Sequence, residues 1–420
     1  MRNQKRLSIF SSVVEAYAEA GSRPLHNEEL YARVSAKAGI PERTLKERRP
    51  IGVSQAMSSP LTRTARWTQQ TLKARGLLSR VAGQRGVWEL TGEGRRKLHR
   101  LERGRVLIGF STRLGVALVG DCRDAMASID EPIVLALCSP PYSLAKPRRY
   151  GNCKPEEYVD FICSCMEPVI KRLAPGASVV LNIGNEVFIA GTPARTLLPE
   201  MLTIQLCARF SLFKMDNVVW HCPNKAPGPV AWASKTRVQL HAGYEWCIWL
   251  TNDPMKVRSN NQAVLRPHSR RHARLQAGGG ERREGIYSDG AYRLHVGSFG
   301  GVTAGAIPRN VLTLGHNCKD QRDYKAATAA LGLPVHGAPF PVSLASFFIS
   351  FLSTERDLVV DPFGGTMTTG VAAEALGRRW IASDLMAEYV RGAATRFAQT
   401  IEWINPELDQ LFGIGSGKAG

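Results

Sequence analysis

Residues 357–384, DLVVDPFGGTMTTGVAAEALGRRWIASD, constrain the fold more than any other stretch of the chain. The apolar run Leu358–Val360 has the length and β-branched character of a buried strand, and Asp361-Pro362-Phe363-Gly364-Gly365-Thr366 turns out of it. Val371–Leu376 reads as a helix, and Trp380–Ser383 is a second strand that ends on Asp384. Strand, glycine corner, helix, strand, acid is the repeating unit of an open α/β sheet. Ligands of such sheets bind at the carboxyl ends of the strands, where glycine lets the backbone approach closely. An acid at the tip of the second strand, twenty-three residues after Asp361, suits the diol of a ribose. The stretch spells neither the dinucleotide GxGxxG nor the phosphate-cradling GxxxxGK[ST], so the expected ligand has a ribose and makes no polyphosphate demand. An ordinary strand–helix turn with a solvated acid explains each feature singly, but not their order.

A second corner follows another buried strand. Ile133–Leu137 ends in Ser139-Pro140-Pro141-Tyr142, where two residues unable to donate a backbone hydrogen bond stop the ladder. Further strands are expected at Leu114–Val119, ending in Gly120-Asp121, and at Ser178–Ile183, Asp216–Trp220 and Glu245–Leu250, with helices at Tyr158–Leu173 and Leu344–Leu352. The pattern predicts an α/β domain over 105–415: a largely parallel, Rossmann-like sheet with helices on both faces. Residues 253–309 break it, being polar and glycine-rich with nine Lys and Arg against three acids between Lys256 and Arg293, and they read as a long loop that is either functional or disordered.

Residues 1–104 form a separate expected domain. They hold 21 Lys and Arg against 9 Asp and Glu, which is +12 of the chain's net +19. So concentrated an excess points to a polyanion, most simply nucleic acid. Helices are expected at Leu7–Tyr17, from an N-cap at Asn27, and at Ser54–Ala74 with Arg63, Arg66, Trp67 and Lys73. Two short strands around Gly83-Gln84-Arg85-Gly86 and a basic helix at Gly92–Leu101 complete a winged helix-turn-helix. This part is similar to the winged-helix domain at the start of some restriction endonucleases, and protein contact is the other use of such a fold. The nine scattered cysteines form no CxxC pair, so reduced thiols, no metal site and a cytoplasmic location are expected. No apolar run is long enough to span a membrane, and no secretory signal is read at the start.

The motifs together resemble a β-class S-adenosylmethionine-dependent amino-methyltransferase of DNA, closest to the N4-cytosine enzymes of restriction–modification systems. SPPY at 139–142 matches the catalytic motif, DPFGG at 361–365 the cofactor motif, Asp384 the ribose acid and Gly120-Asp121 the adenine-binding corner. HGAPFP at 336–341, with Phe340 and Pro341, resembles the segment that closes over the methionine end of the cofactor. The likeness covers roughly 115–400 and extends through RYGN at 149–152, GTPARTLLP at 191–199, WHCPNKAPGPVAW at 220–232 and IPRNVL at 307–312. Met367 departs from it, standing where many relatives carry glycine.

The resemblance implies S-adenosylmethionine as cofactor, bound by Asp121, Phe340, Pro341, Asp361, Phe363, Gly364, Gly365, Thr366 and Asp384, and double-stranded DNA as substrate. It admits a cognate restriction endonuclease acting on the same site, and places target recognition at about 253–309. In the implied reaction Ser139 Oγ and the Pro140 carbonyl accept the N–H bonds of an exocyclic amine, aiming its lone pair at the methyl group. Pro141 stiffens the corner, and Tyr142 stacks on a base flipped out of the duplex. Cys138 reads as core, which disfavours C5-cytosine chemistry and its exposed thiol. Both amino bases need the same acceptors, so N6-adenine methylation stays open beside N4-cytosine, as does an inactive DNA-binding regulator.

Overall fold

The computed structural model describes residues 12–142 and 155–414, except 14–15, 22, 39, 42, 45–46, 52–55, 75, 92–105, 317, 338 and 413. The expected basic helix at Gly92–Leu101 and the RYGN segment lie outside the described residues, as does part of the helix expected at Leu7–Tyr17.

The N-terminal unit contains β1 (Leu25–His26), α1 (Asn27–Ala38), the β2–β3 hairpin (Arg49–Ile51, Ala56–Ser58), α2 (Pro60–Ala74), β4 (Leu78–Arg80) and β5 (Val87–Leu90). β5 lies between β1 and β4, antiparallel to both. Tyr17, Leu25, Leu30, Val34, Leu72, Trp88 and Leu90 form its own core. Two helix starts differ from expectation. Asn27 does not cap α1: its Oδ1 accepts from Gln69 Nε2 at 2.9 Å, and His26 Nδ1 accepts the Glu28 N–H instead. α2 begins at Pro60, not Ser54, because proline is suited to the first helical position and the Ser59 hydroxyl accepts the Thr62 N–H. Its buried face carries Ala65, Thr68, Gln69 and Leu72, and Arg63, Arg66, Trp67, Gln70 and Lys73 share the exposed face.

The second unit is built on ten strands. β6 (Leu107–Thr112), β7 (Gly115–Val119), β8 (Ile133–Cys138), β9 (Leu173–Ile183), β10 (Phe213–His221), β11 (Tyr244–Thr251), β14 (Val311–Thr313), β15 (Leu358–Asp361), β16 (Arg379–Asp384) and β17 (Ile401–Ile404) lie in the order β14-β10-β11-β9-β8-β15-β16-β7-β6-β17. The run β9-β8-β15-β16-β7 is parallel. The flanks mix both senses: β11 is antiparallel to both neighbours, and so is β6, while β10 and β14 at the far edge run parallel. Only Arg113 and Leu114 separate β6 from β7, and so short a link can join only antiparallel neighbours.

Helices cover both faces. α3 (Cys122–Ala127), α4 (Pro155–Ile170) and α5 (Leu198–Phe210) enclose one core through Met126, Ile162, Met166 and Leu202. The other lies under α8 (Val342–Leu352), α9 (Thr368–Ala375) and α10 (Ala387–Ala393), with Phe348, Ala372, Trp380 and Val390. Between β11 and β14, residues 253–309 are not a plain loop. They hold α6 (Arg270–Ala277), capped by Ser269, and the hairpin β12–β13 (Gly285–Tyr287, Tyr292–Leu294), and Arg266 pairs with Ala306. α7 (Lys319–Ala330) precedes the last α/β repeat. No helix among the described residues is long and apolar enough to cross a membrane.

Candidate active site

Four neighbouring parallel strands end on one edge of the sheet. In spatial order β8 delivers Ser139-Pro140-Pro141-Tyr142, β15 the corner Asp361–Thr366, β16 Asp384 and β7 Gly120-Asp121. Motifs spread over more than 260 residues of chain thereby become adjacent. Contacts tie the strand ends together: Gly120 N–H donates to the Asp384 carbonyl at 3.0 Å, and Thr369 Oγ1 lies 3.2 Å from Leu137 O.

The glycine corner is braced from within. Asp361 is 1% exposed, its oxygens accepting from Phe363 N at 3.0 Å and Thr369 Oγ1 at 2.6 Å. Thr366 is buried against Thr368 and Arg396, and the Phe340 ring belongs to the core beneath α8. The side chains of Asp361, Thr366 and Phe340 are thus buried in the structure. Pro341 is buried as the N-cap residue of α8. Asp384 is half-buried: Oδ2 accepts from Gly365 N at 2.9 Å and Oδ1 from Met386 N at 2.7 Å, which leaves lone pairs for a diol. Asp121 caps α3 and pairs with Arg123, whose guanidinium Nε donates to it at 2.8 Å. Phe363 stays half-exposed.

Met367 adopts a left-handed conformation, φ 55°, in which glycine is unstrained and other residues are disfavoured by about 1–2 kcal/mol. Its fully buried side chain packs on Gly364, where a Cβ would meet Met367 Sδ at 2.7 Å. Burial of that side chain offsets the backbone strain. Two residues beside the corner carry no individual signal in the sequence. His336 Nε2 lies 3.5 Å from where a Cβ on Gly365 would stand. Arg396, on the turn after α10, donates to Thr366 O at 2.6 Å and to Asp320 Oδ2 at 2.5 Å, and so pins the corner to α7.

Burial, reinforced by Asp384 and opposed by the two hydrogen bonds, pushes the Asp361 carboxyl up to about 7. Burial likewise raises Asp384 to about 6. Folded Asp361 thus keeps a proton that the unfolded chain releases near the ordinary value of 3.8. Its contribution to stability is full below that value and is lost as pH rises through about 7. Asp361→Asn keeps an oxygen for the Phe363 N–H and removes the titration. Thermal melts of the two proteins should show the variant gaining on the parent between pH 5 and 8, and a difference independent of pH would contradict the assignment.

At the β8 corner, Ser139 is half-buried and Cys138 fully buried, its thiol pushed well above the ordinary value by burial. Tyr142 lies against Gly184 so closely that a Cβ there would stand 2.8 Å from the ring. Its hydroxyl is 3.3 Å from Ser139 Oγ, 3.3 Å from Asn182 Oδ1 and 3.1 Å from Glu245 Oε2. Lys225 Nζ bridges Glu245 Oε1 at 3.0 Å and Glu186 Oε2 at 3.1 Å. Burial pulls the Lys225 ammonium down, but the two carboxylates outweigh it and hold the group above the ordinary lysine value. Sequence reading alone passes over Asn182, Glu186, Lys225 and Glu245.

The N6/N4 DNA methylase family matches residues 133–395, and the Mrr N-terminal domain matches residues 8–100. Type II methyltransferase M.PvuII of Proteus hauseri is 32% identical over 292 residues, covering 69% of this chain and 85% of its own. Type II methyltransferase M.BamHI of Bacillus amyloliquefaciens is 24% identical over 284 residues, covering 66% and 56%. The solved structure of PvuII DNA methyltransferase, described as cytosine-N4-specific, superposes with a TM-score of 0.56 at 27% identity, covering 73% of this chain and 94% of that one. The chain belongs to the N6/N4 family of DNA methylases.

Proposed function

We propose that the protein transfers a methyl group from S-adenosylmethionine to the N4 amine of cytosine in duplex DNA, acting directly on a base flipped out of the helix. One observation carries this reading: the Ser-Pro-Pro-Tyr corner stands at the end of the strand beside the glycine corner, with Asp384 and Asp121 at the next two strand ends. The residues present fit the cofactor, because Asp384 keeps lone pairs on a half-buried carboxylate while Gly364 and Gly365 hold the backbone open beside it. Asp384 would hold the ribose, Asp121 the adenine side, and the segment around His336 the methionine end. When bound, the cofactor supplies an electrophilic methyl group on a sulfonium.

The chain's own residues do the rest. Ser139 Oγ and the Pro140 carbonyl accept the N–H bonds of the amine, and Pro141 fixes their spacing. Tyr142 stacks on the extruded base, which offsets the few kcal/mol of unstacking. Buried Cys138 takes no part. Likeness to M.PvuII and to the cytosine-N4-specific structure favours cytosine over adenine. Labelled methyl groups should pass from S-adenosylmethionine to unmethylated duplex DNA, and binding of DNA without incorporation would leave only a regulator.

The N-terminal unit adds DNA affinity as a winged helix, with α2 toward the duplex, and the folded segment at 253–309 reads the target. A cognate restriction endonuclease at the same site is the expected partner. The exposed face of α2 gives a direct check. Arg63→Gln, Arg66→Gln and Lys73→Gln together should reduce the slope of log affinity against log salt by about 0.9 for each phosphate that the face no longer neutralises. Cofactor affinity and the methylated sequence should not change. Binding titrations over a salt series decide it, and an unchanged slope would mean that this face touches no DNA.

A further inference from the structure

Methylating an amine releases a proton, and the Ser-Pro-Pro-Tyr corner contains no carboxylate to receive it. The fold brings one in from elsewhere. Trp246 on β11 pairs with Ile183 on β9, and Leu181 on β9 pairs with Cys138 on β8, so the start of β11 meets the strand ends at this edge. Glu245 stands there with its side chain 17% exposed. Contacts run without a break from Ser139 Oγ to Tyr142 Oη at 3.3 Å and on to Glu245 Oε2 at 3.1 Å. Asn182 also touches the Tyr142 hydroxyl, but an amide does not take up a proton at neutral pH. Lys225 and Glu186 continue the chain toward the more exposed side, where the Glu186 side chain is 30% exposed. Tyr158 on α4 is the remaining titratable group facing the phenol.

We infer that Glu245 is the terminal proton acceptor of the methyl transfer, reached from the amine through Ser139 and Tyr142. The inference rests on the proposed reaction. As the amine nitrogen bonds to the methyl carbon, the carbon–sulfur bond breaks and its electron pair stays on sulfur. One N–H bond breaks: its proton goes to Ser139 Oγ, the Ser139 proton to Tyr142 Oη, and the Tyr142 proton to Glu245 Oε2. A neutral amine, a sulfonium and a carboxylate become a methylated amine, a thioether and a carboxylic acid, so charge balances at zero on both sides. Lys225, held between the Glu245 and Glu186 carboxylates, anchors Glu245 through Oε1, leaves Oε2 facing the Tyr142 hydroxyl, and stays protonated itself. Tyr142 serves both as stacking surface and as conduit.

Single-turnover transfer by Glu245→Gln and by Tyr142→Phe, both close in shape to the parent, should fall about 100-fold, the low end of what positioned proton transfer contributes. Their affinities for S-adenosylmethionine and DNA should stay at the parent's. Glu245→Ala should regain rate in proportion to added formate, which returns a carboxylate to the vacated space, while the parent does not respond. In the ligand-free protein, the ultraviolet phenol titration that Tyr142→Phe abolishes should move to lower pH in Glu245→Gln, since burial and then the Glu245 carboxylate raise it. A Glu245→Gln enzyme as fast as an active parent overturns the relay alone, as does a slow Glu245→Ala enzyme indifferent to formate. A parent that transfers no methyl group to DNA overturns the proposed reaction and the relay with it.

Discussion

Ser139→Ala is expected to give a folded protein that binds S-adenosylmethionine as the parent does and transfers methyl groups about 100 to 1,000 times more slowly, the loss typical of deleting one preorganised polar group from an active site. The substitution removes the Oγ that accepts one N–H of the target amine. It leaves the Pro140 carbonyl and the Asn182 and Glu245 contacts of the Tyr142 hydroxyl in place. Among the described residues the corner at the end of β15 makes no hydrogen bond to Ser139, so cofactor binding there should not sense the change. Ser139 is only half-buried, and its longest contact, 3.4 Å to Asn182 O, is weak, so thermal stability should move little. Single-turnover rates beside calorimetric cofactor titrations separate the two effects. Parental turnover would remove Ser139 from the mechanism.

Asp384→Ala is expected to do the reverse, weakening cofactor far more than DNA. Losing a charge-assisted hydrogen bond of about 1.5–3 kcal/mol raises the dissociation constant tenfold or more. The same carboxylate holds the N–H groups of Gly365 and Met386, so the corner itself loosens in the variant. Asp384→Asn retains one side-chain oxygen and should show a smaller loss. The ionised form is the better acceptor for a diol, so parental affinity should weaken as pH falls through about 6, where Asp384 takes up a proton. The alanine variant should lack that dependence. Calorimetric titration over pH checks both, and parental affinity in Asp384→Ala would rule out the ribose role.

What could be read in the sequence was what local chemistry dictates. A buried strand closed by Pro140-Pro141, and a strand opening through Gly364-Gly365 toward Asp384, announce strand ends, and the fold sets those ends side by side. Glu245 carried no such signal. Within YEWCIWL it reads as one polar residue at the start of an apolar strand, and only the long-range pairing of β11 with β9 brings it to Tyr142. Arg396 was hidden in the same way, reaching the glycine corner from the far side of α10.

Glycines could be located but not interpreted. Gly370 looks like part of the ligand turn, yet a Cβ there would stand 2.9 Å from the fully buried Trp380 ring, so its service is packing. The segment 253–309 read as loop because its elements are too short for periodicity to register. Its order comes instead from backbone contacts such as Gly280 against Gly297, where a Cβ would stand 2.4 Å from a carbonyl oxygen. Asn27 misled for a related reason: the residue type suits a cap, but the buried Gln69 on α2 claims its side-chain oxygen first.

The most direct measurement is the identity of the modified nucleoside. Unmethylated duplex DNA incubated with the full-length protein and S-adenosylmethionine, then digested and analysed by mass spectrometry, is expected to yield N4-methyldeoxycytidine. N6-methyldeoxyadenosine would contradict the assignment of cytosine, and 5-methyldeoxycytidine, or no methylated nucleoside at all, would contradict amine transfer from the Ser-Pro-Pro-Tyr corner.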